Sequence, residues 1–75
     1  MKITLETTSW AARYVDERSV TLEMPEGAVV ADAIAASGIP ADEAGIAVID
    51  GKAAARGHRL ADGDVVRVYP VIVGG

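Results

Sequence analysis

The sequence predicts an α+β domain in which one main helix packs on one face of a mixed sheet of four to five strands. Two observations support this prediction. Apolar and polar residues alternate in several short segments, as in strands with one buried face, whereas residues 28–38 repeat their apolar positions at helical spacing. The 75 residues allow one domain with a thin core, made thinner by the absence of Phe. So small a core favours a binding or carrier module over an enzyme with its own cleft.

Two alternating segments near the start, MKITLE and SVTLEM, predict strands at residues 3–5 and 20–23. The polar connection between them leaves room for a helical turn, because Trp10 and Tyr14 are four positions apart. We interpret Trp10 as a packing residue. The helix is predicted over Val30–Ser37, with Gly38 as its left-handed end, and no residue suited to capping precedes it.

The second half of the chain predicts two further strands and two tight turns. Residues 46–49 are apolar on both faces, as in a central strand, and Asp50-Gly51 is typical of a hairpin turn. A last strand follows at residues 65–69. We interpret Asp62-Gly63-Asp64 before it as a turn rather than a metal site, since no further ligands stand at calcium-loop spacing. The order of elements is that of the β-grasp, or ubiquitin-like, arrangement, with the first and last strands expected to pair in parallel.

Composition excludes several classes of function. The formal net charge is -4 and the basic residues are scattered, which argues against nucleic acid and favours a basic protein partner. The absence of Cys excludes disulfides, thiolate metal sites and cysteine nucleophiles. The lone His58 is interpreted as a solvated loop residue. We find neither a signal peptide nor an apolar run long enough for a membrane, and therefore expect a cytoplasmic protein.

The final segment, VYPVIVGG, combines exposed apolar residues with two glycines. We expect a β-grasp domain over residues 1–69 and a flexible tail over residues 70–75. In the last strand, alternation predicts that Val66 and Val68 face the helix, while Val65 and Tyr69 face away. Unburied apolar residues at such a position indicate that a partner holds them.

Several of these features together resemble the MoaD/ThiS family of ubiquitin-like sulfur carriers. They are the LADGDVV turn at residues 60–66, the strand closing on Asp50-Gly51, and Gly-Gly after the last strand. The family includes the small subunit of molybdopterin synthase and the sulfur carrier of thiamine biosynthesis. The turn residue Asp50 is commonly Asn there, and residues 7–18 fit neither branch. Pro70 resembles the molybdopterin branch and VIVGG the thiamine branch, so the pathway stays open, with molybdopterin slightly favoured.

The resemblance implies that Gly75 carries the sulfur. An adenylating, E1-like activating enzyme would use ATP on its carboxylate, and a sulfur donor would then convert it to a thiocarboxylate for an acceptor synthase subunit. The chain itself would be a co-substrate with no bound cofactor or metal. The expected partner-binding residues are Tyr69, Pro70, Val71, Ile72, Val73 and Gly74.

Two other classes of function remain open. A ubiquitin-like modifier would use the same adenylation and the same tail, but would be joined through Gly75 to lysines of other proteins. A β-grasp interaction domain would carry the tail incidentally, and truncation would leave its activity intact.

Overall fold

The computed structural model describes residues 1–15 and 17–71, and these form a five-stranded mixed sheet with one α-helix on one face. The predicted α+β class is therefore confirmed. The elements in chain order are β1 (Lys2–Glu6), a 3-10 turn (Ser9–Ala11), β2 (Ser19–Glu23), α1 (Val30–Ser37), β3 (Ala44–Ile49), β4 (Lys52–Ala54) and β5 (Val65–Pro70). No helix in this described part of the chain has the length and apolarity needed to span a bilayer.

The strand order in the sheet is β2-β1-β5-β3-β4, so the last strand lies at the centre. It runs parallel to β1, where Glu6 lies opposite Arg67, and antiparallel to β3. This parallel pairing of the first and last strands confirms the β-grasp topology. Because β5 has a hydrogen-bonded neighbour on each side, the segment that leads into the tail begins in an interior strand of the sheet.

The core lies between α1 and the facing side of the sheet. The helix buries Val30, Ala33 and Ile34, which follow the apolar face that the sequence predicted. Its C-terminal residue is followed by Gly38 at φ 91°, the left-handed conformation that glycine adopts without strain. The largest fully buried side chains are Ile3, Leu5, Ile34, Val30, Val66 and Val68. Trp10 is partly buried against this core, as expected for a packing residue.

Main-chain carbonyls from a distant loop cap the N-terminus of α1. The amide of Val30 donates to the carbonyl of His58 at 3.0 Å, and that of Ala31 donates to the carbonyl of Arg56, also at 3.0 Å. The Asp32 carboxylate accepts the amide of the residue before the helix at 2.9 Å. These acceptors replace the missing capping side chain. The His58 side chain itself is exposed, as predicted.

Both predicted turns are present, and each has a defined role. Asp50 and Gly51 have φ values of 52° and 77°, the positive angles that a two-residue type I′ hairpin requires. At the second turn, the Asp62 carboxylate accepts the amide of Lys2 at 2.7 Å. The Asp64 carboxylate accepts the amide three residues before it at 2.9 Å. These carboxylates hold the turn together and fix it to β1, as the interpretation as a turn requires.

A β-bulge in β3 distinguishes the end of the sheet where the tail begins. Ala47 pairs with Val68, but Ala44 pairs with Pro70, so β3 contains one more residue than β5 between these pairs. Gly45 lies in this bulge. A Cβ atom there would be 2.5 Å from the Pro70 carbonyl oxygen, a distance that real Cβ atoms do not reach. Strand β5 thus extends to Pro70, one residue beyond its predicted end.

We predict that Gly45→Ala destabilises the domain by about 1–3 kcal/mol, because the added methyl group must push β3 and β5 apart. Urea unfolding of the purified variant measures this. Gly57→Ala is the matched control: a Cβ at Gly57 meets nothing within 4 Å, so its stability should stay within about 0.5 kcal/mol of the parent. Equal stability of both variants would contradict the close approach of the two strands.

Candidate functional site

The end of β5 places the first residues of the predicted tail at one end of the sheet. Val66 and Val68 are buried, while Tyr69 and Val71 are 43% and 46% exposed. The predicted alternation along this strand is therefore correct. Of the expected partner-binding residues, Tyr69, Pro70 and Val71 lie in the described part of the chain. The other candidate site residues, Ile72, Val73, Gly74 and Gly75, lie outside it.

Exposed apolar side chains lie on the face of the sheet opposite α1, which we call the open face. Val65 and Tyr69 are there, as predicted, and Val48 is half-buried between their strand and β4. Ile46 is 58% exposed. The sequence predicts a central strand here, with apolar residues on both of its faces. Ile46 is exposed because β4 is short and pairs only with residues 47–49, so Ile46 has no neighbour on that side.

An ion pair lies in the middle of the open face. The Nε atom of Arg67 donates to the Glu6 carboxylate at 2.9 Å, across the parallel β1–β5 pair. This hydrogen bond, followed by a weaker contribution from Tyr69, raises the pKa of Arg67 above its ordinary value. Such an exposed pair adds little stability. Its effect is to hold a guanidinium group between apolar side chains, a composition that suits a protein-docking surface.

Shallow depressions flank this ion pair on the same face. One is lined by the hairpin turn at Asp50 and Gly51 together with Val65, Arg67 and Tyr69. Neither this depression nor any other part of residues 1–15 and 17–71 brings three His, Asp or Glu side chains together as metal ligands. The surface offers apolar contact and a guanidinium group held in an ion pair.

Residues 43–45, before and within the bulge, contact the backbone at the point where the chain leaves the sheet. The amide of Val71 donates to the carbonyl of Glu43 at 3.2 Å. The Glu43 carboxylate in turn accepts a short hydrogen bond from the Tyr14 hydroxyl, which raises the pKa of that phenol above its ordinary value. Two successive hydrogen bonds, from Val71 to Glu43 and from Tyr14 to Glu43, therefore support the start of the tail.

Arg56 adds a third contact to this segment. One guanidinium nitrogen lies close to three carbonyl oxygens: those of Gly45 at 3.3 Å, Ala41 at 3.4 Å, and Ala44 in a shorter hydrogen bond. Sequence reasoning assigned no role to Arg56, Glu43 or Gly45. Their contacts join residues distant in sequence, and only a single glycine, unexpected within a strand, could have indicated the bulge.

A family model described as Mut7-C ubiquitin matches residues 5–73 of this chain. The match includes every strand and the helix, except for the first residues of β1. No curated protein matches the chain closely enough to count as a relative.

Solved structures with the same fold include archaeal proteins of similar size. A putative molybdopterin converting factor, subunit 1, from Pyrococcus furiosus is 25% identical, with a TM-score of 0.76 over 96% of this chain and 99% of that one. SAMP1 from Haloferax volcanii is 23% identical, with a TM-score of 0.75 over the whole of both chains. These similarities confirm the resemblance to small ubiquitin-like proteins of the MoaD type.

We predict that Glu43→Gln lowers the pKa of Tyr14 toward its ordinary value of about 10, because the amide lacks the carboxylate charge that opposes phenol ionisation. The native pKa is raised, so its contribution to stability is complete below about pH 10 and is lost as pH rises through the folded-state value. Glu43→Gln should therefore lose stability less steeply in that range.

Ultraviolet titration of tyrosinate in a Tyr69→Phe background measures this pKa, since the chain has two tyrosines. Asp42→Asn removes a neighbouring exposed carboxylate and serves as the control. Identical titration curves for Glu43→Gln and its parent would contradict the hydrogen bond between Tyr14 and Glu43.

Proposed function

This chain belongs to the Mut7-C ubiquitin family, and from that premise we propose that it is a sulfur carrier acting through the carboxylate of Gly75. One observation is central to the proposal: the middle strand of the sheet ends at Pro70, beside an exposed apolar face, and the sequence VIVGG follows directly. To bring a reactive chain end into a partner's active site, a carrier needs a tail that extends from a rigid domain docked outside that site.

The chemistry explains why a partner enzyme is needed. A main-chain carboxylate is ionised at neutral pH and has no usable leaving group. The adenylating partner would use ATP to form an acyl adenylate on Gly75, and a sulfur donor would displace the nucleotide to leave a thiocarboxylate. An acceptor synthase subunit would then receive this sulfur for cofactor biosynthesis. The carrier would bind no cofactor of its own and would work in the cytoplasm.

The hydrogen bond at Val71 limits how far the tail can reach. Four residues follow it, and when fully extended they span at most about 13 Å. The domain must therefore dock with its tail end close to the nucleotide of the activating enzyme. Glycine at the last two positions would leave the narrowest part of that path without side chains. Pro70, Val71, Ile72 and Val73 would contact the walls of the path.

The open face supplies the docking surface in this proposal. Tyr69, Ile46 and Val65 offer exposed apolar contact, and the first two lie at the same end of the sheet as the tail. The net charge of -4 would steer the chain toward a basic surface on the enzyme. Apolar anchors near the centre of an interface and charges around it are the usual division of roles.

The pathway we favour is molybdopterin synthesis, ahead of thiamine synthesis. The likeness to the putative molybdopterin converting factor subunit supports this order. A second function, conjugation through Gly75 to lysines of other proteins, draws support from the likeness to SAMP1, a small archaeal modifier protein. Conjugates that survive denaturing gels would indicate the modifier, and a free thiocarboxylate would indicate the carrier. An interaction domain would keep its activity without the tail.

We predict that the intact chain, incubated with its activating enzyme, ATP and a sulfur source, gains the mass of one oxygen exchanged for sulfur, located on Gly75. Deletion of Gly75 should abolish the gain because the reacting carboxylate is then misplaced. Gly74→Val should reduce it almost as much, since a β-branched side chain restricts the backbone and blocks a narrow path. Intact-mass and fragment-ion spectrometry measure the product.

Adding one residue after Gly75 should also block the reaction, and thermal unfolding should remain unchanged in all three variants. Gly57→Ala, in an open loop, is the control that should react normally. Full activity of all three tail variants would exclude the carrier function and leave the interaction domain in its place.

We predict that Tyr69→Ala weakens binding to the activating enzyme by about 1–3 kcal/mol, as loss of an aromatic anchor does, and that Ile46→Ala weakens it in the same direction. Calorimetric titration measures the affinities. Ala35→Gln on the exposed side of α1 should bind normally. Rising salt should slow association more than it speeds dissociation. If Tyr69→Ala unfolds the domain, and Ile46→Ala binds normally, the open face is not the docking surface.

A further inference from the structure

Arg56 connects two parts of the molecule that are otherwise separate. Its backbone carbonyl accepts the amide of Ala31 at 3.0 Å and so caps the start of α1. Its half-buried side chain extends the other way, to the carbonyl oxygens of the segment that ends in the β3 bulge. The loop that carries Arg56 is therefore fixed at the helix, and its guanidinium group acts from a fixed base.

The guanidinium group of Arg56 supplies hydrogen-bond donors to main-chain carbonyls at the bulge. An extra residue in one strand interrupts the ladder and leaves main-chain groups without strand partners. The carbonyls of Ala44 and Gly45 both receive hydrogen bonds from the guanidinium group of Arg56, which carries donors and no acceptor. Without such a donor, partly buried carbonyls would lose their hydrogen bonds and the bulge would lose its fixed shape.

The same short segment determines where the chain leaves the sheet. The carbonyl of Glu43 accepts the amide of Val71, and Gly45 lies against the backbone of Tyr69 and Pro70. We propose that Arg56 is a positioning residue, which fixes the shape of the bulge and thereby the direction in which the chain leaves the sheet at Val71. The predicted consequence, alignment of Gly75 with a partner site, rests on the proposed carrier function. The geometry around Arg56 does not depend on that function.

The alignment depends on this direction because only four residues follow Val71, and so few residues have little freedom to compensate for a change at their base. A rotation of about 20° at Val71 moves the far end of a segment about 13 Å long by about 4.5 Å. A misplacement of about 1 Å at a reacting group is enough to slow a reaction by about a hundredfold. A small loss of order at the bulge would therefore reduce the rate of adenylation without changing the surface that docks.

The first measurement uses the chain alone. Amide exchange at Val71, followed by NMR, should accelerate about five- to tenfold in Arg56→Met, which keeps the aliphatic stem but has no donor. Arg56→Lys retains a cation of similar reach and should recover part of the protection. Arg59→Met is the matched control, because it removes the same charge from the same loop, and its exposed side chain has no hydrogen bond in the described structure. It should exchange within about twofold of the parent.

The second measurement is the adenylation reaction with the activating enzyme. Arg56→Met should lower kcat about three- to tenfold while KM for the carrier stays within about twofold, since the docking surface is unchanged. Arg56→Lys should recover part of the rate, and Arg59→Met should match the parent. A purely structural loss would instead accelerate exchange of the amides within β5 and α1 as well.

The outcomes separate this inference from the proposed function. Unchanged exchange at Val71 in Arg56→Met would overturn the positioning role, as would acceleration shared equally by the interior of β5. Faster exchange at Val71 with an unchanged kcat would also overturn it. If the parent chain is never adenylated, the carrier function fails, while exchange at Val71 in the chain alone still decides whether Arg56 holds the bulge.

Discussion

The parallel pairing of β1 with β5 is the contact on which the remainder of the sheet depends. It joins the two sequence-distant strands, and it places β5 between β1 and β3 at the centre. In the described part of the chain, β5 alone joins the two antiparallel pairs β1–β2 and β3–β4 within the sheet. The buried side chains of Val66 and Val68 complete the core that α1 covers. The residues that lead to Val71 therefore belong to an interior strand, paired on both sides.

The two faces of the sheet separate the residues that build the core from those that remain exposed. Residues alternate along β5: Val66 and Val68 are buried beneath α1. Val65 and Tyr69 lie on the open face, as does Ile46 of β3. The Arg67–Glu6 ion pair crosses that face at a position where its loss costs little stability. Residues on the open face can therefore vary without changing the core, as the proposed docking surface requires.

Sequence patterns predicted those features that depend on local chemistry. Alternation and helical spacing placed α1 and most of β1, β2 and β5, and the Asp50-Gly51 turn followed from its required backbone angles. Features that depend on distant residues were not predictable in the same way. Arg56 reaches its carbonyls only after β3 has formed its bulge, and the exposure of Ile46 follows from the short length of β4. The roles proposed for residues 72–75 are based on sequence resemblance, since these residues lie outside the described structure.

The central position of β5 also has a consequence for biosynthesis. A nascent chain that stops before Val65 would contain α1 and four of the five strands. Its β1 and β3 would nevertheless lack their common neighbour, and isolated two-stranded hairpins are marginal in water. Contacts of such long sequence separation form late and slowly. The strand that leads to Val71 thus also completes the fold, so a chain that lacks this strand would remain open to proteolysis.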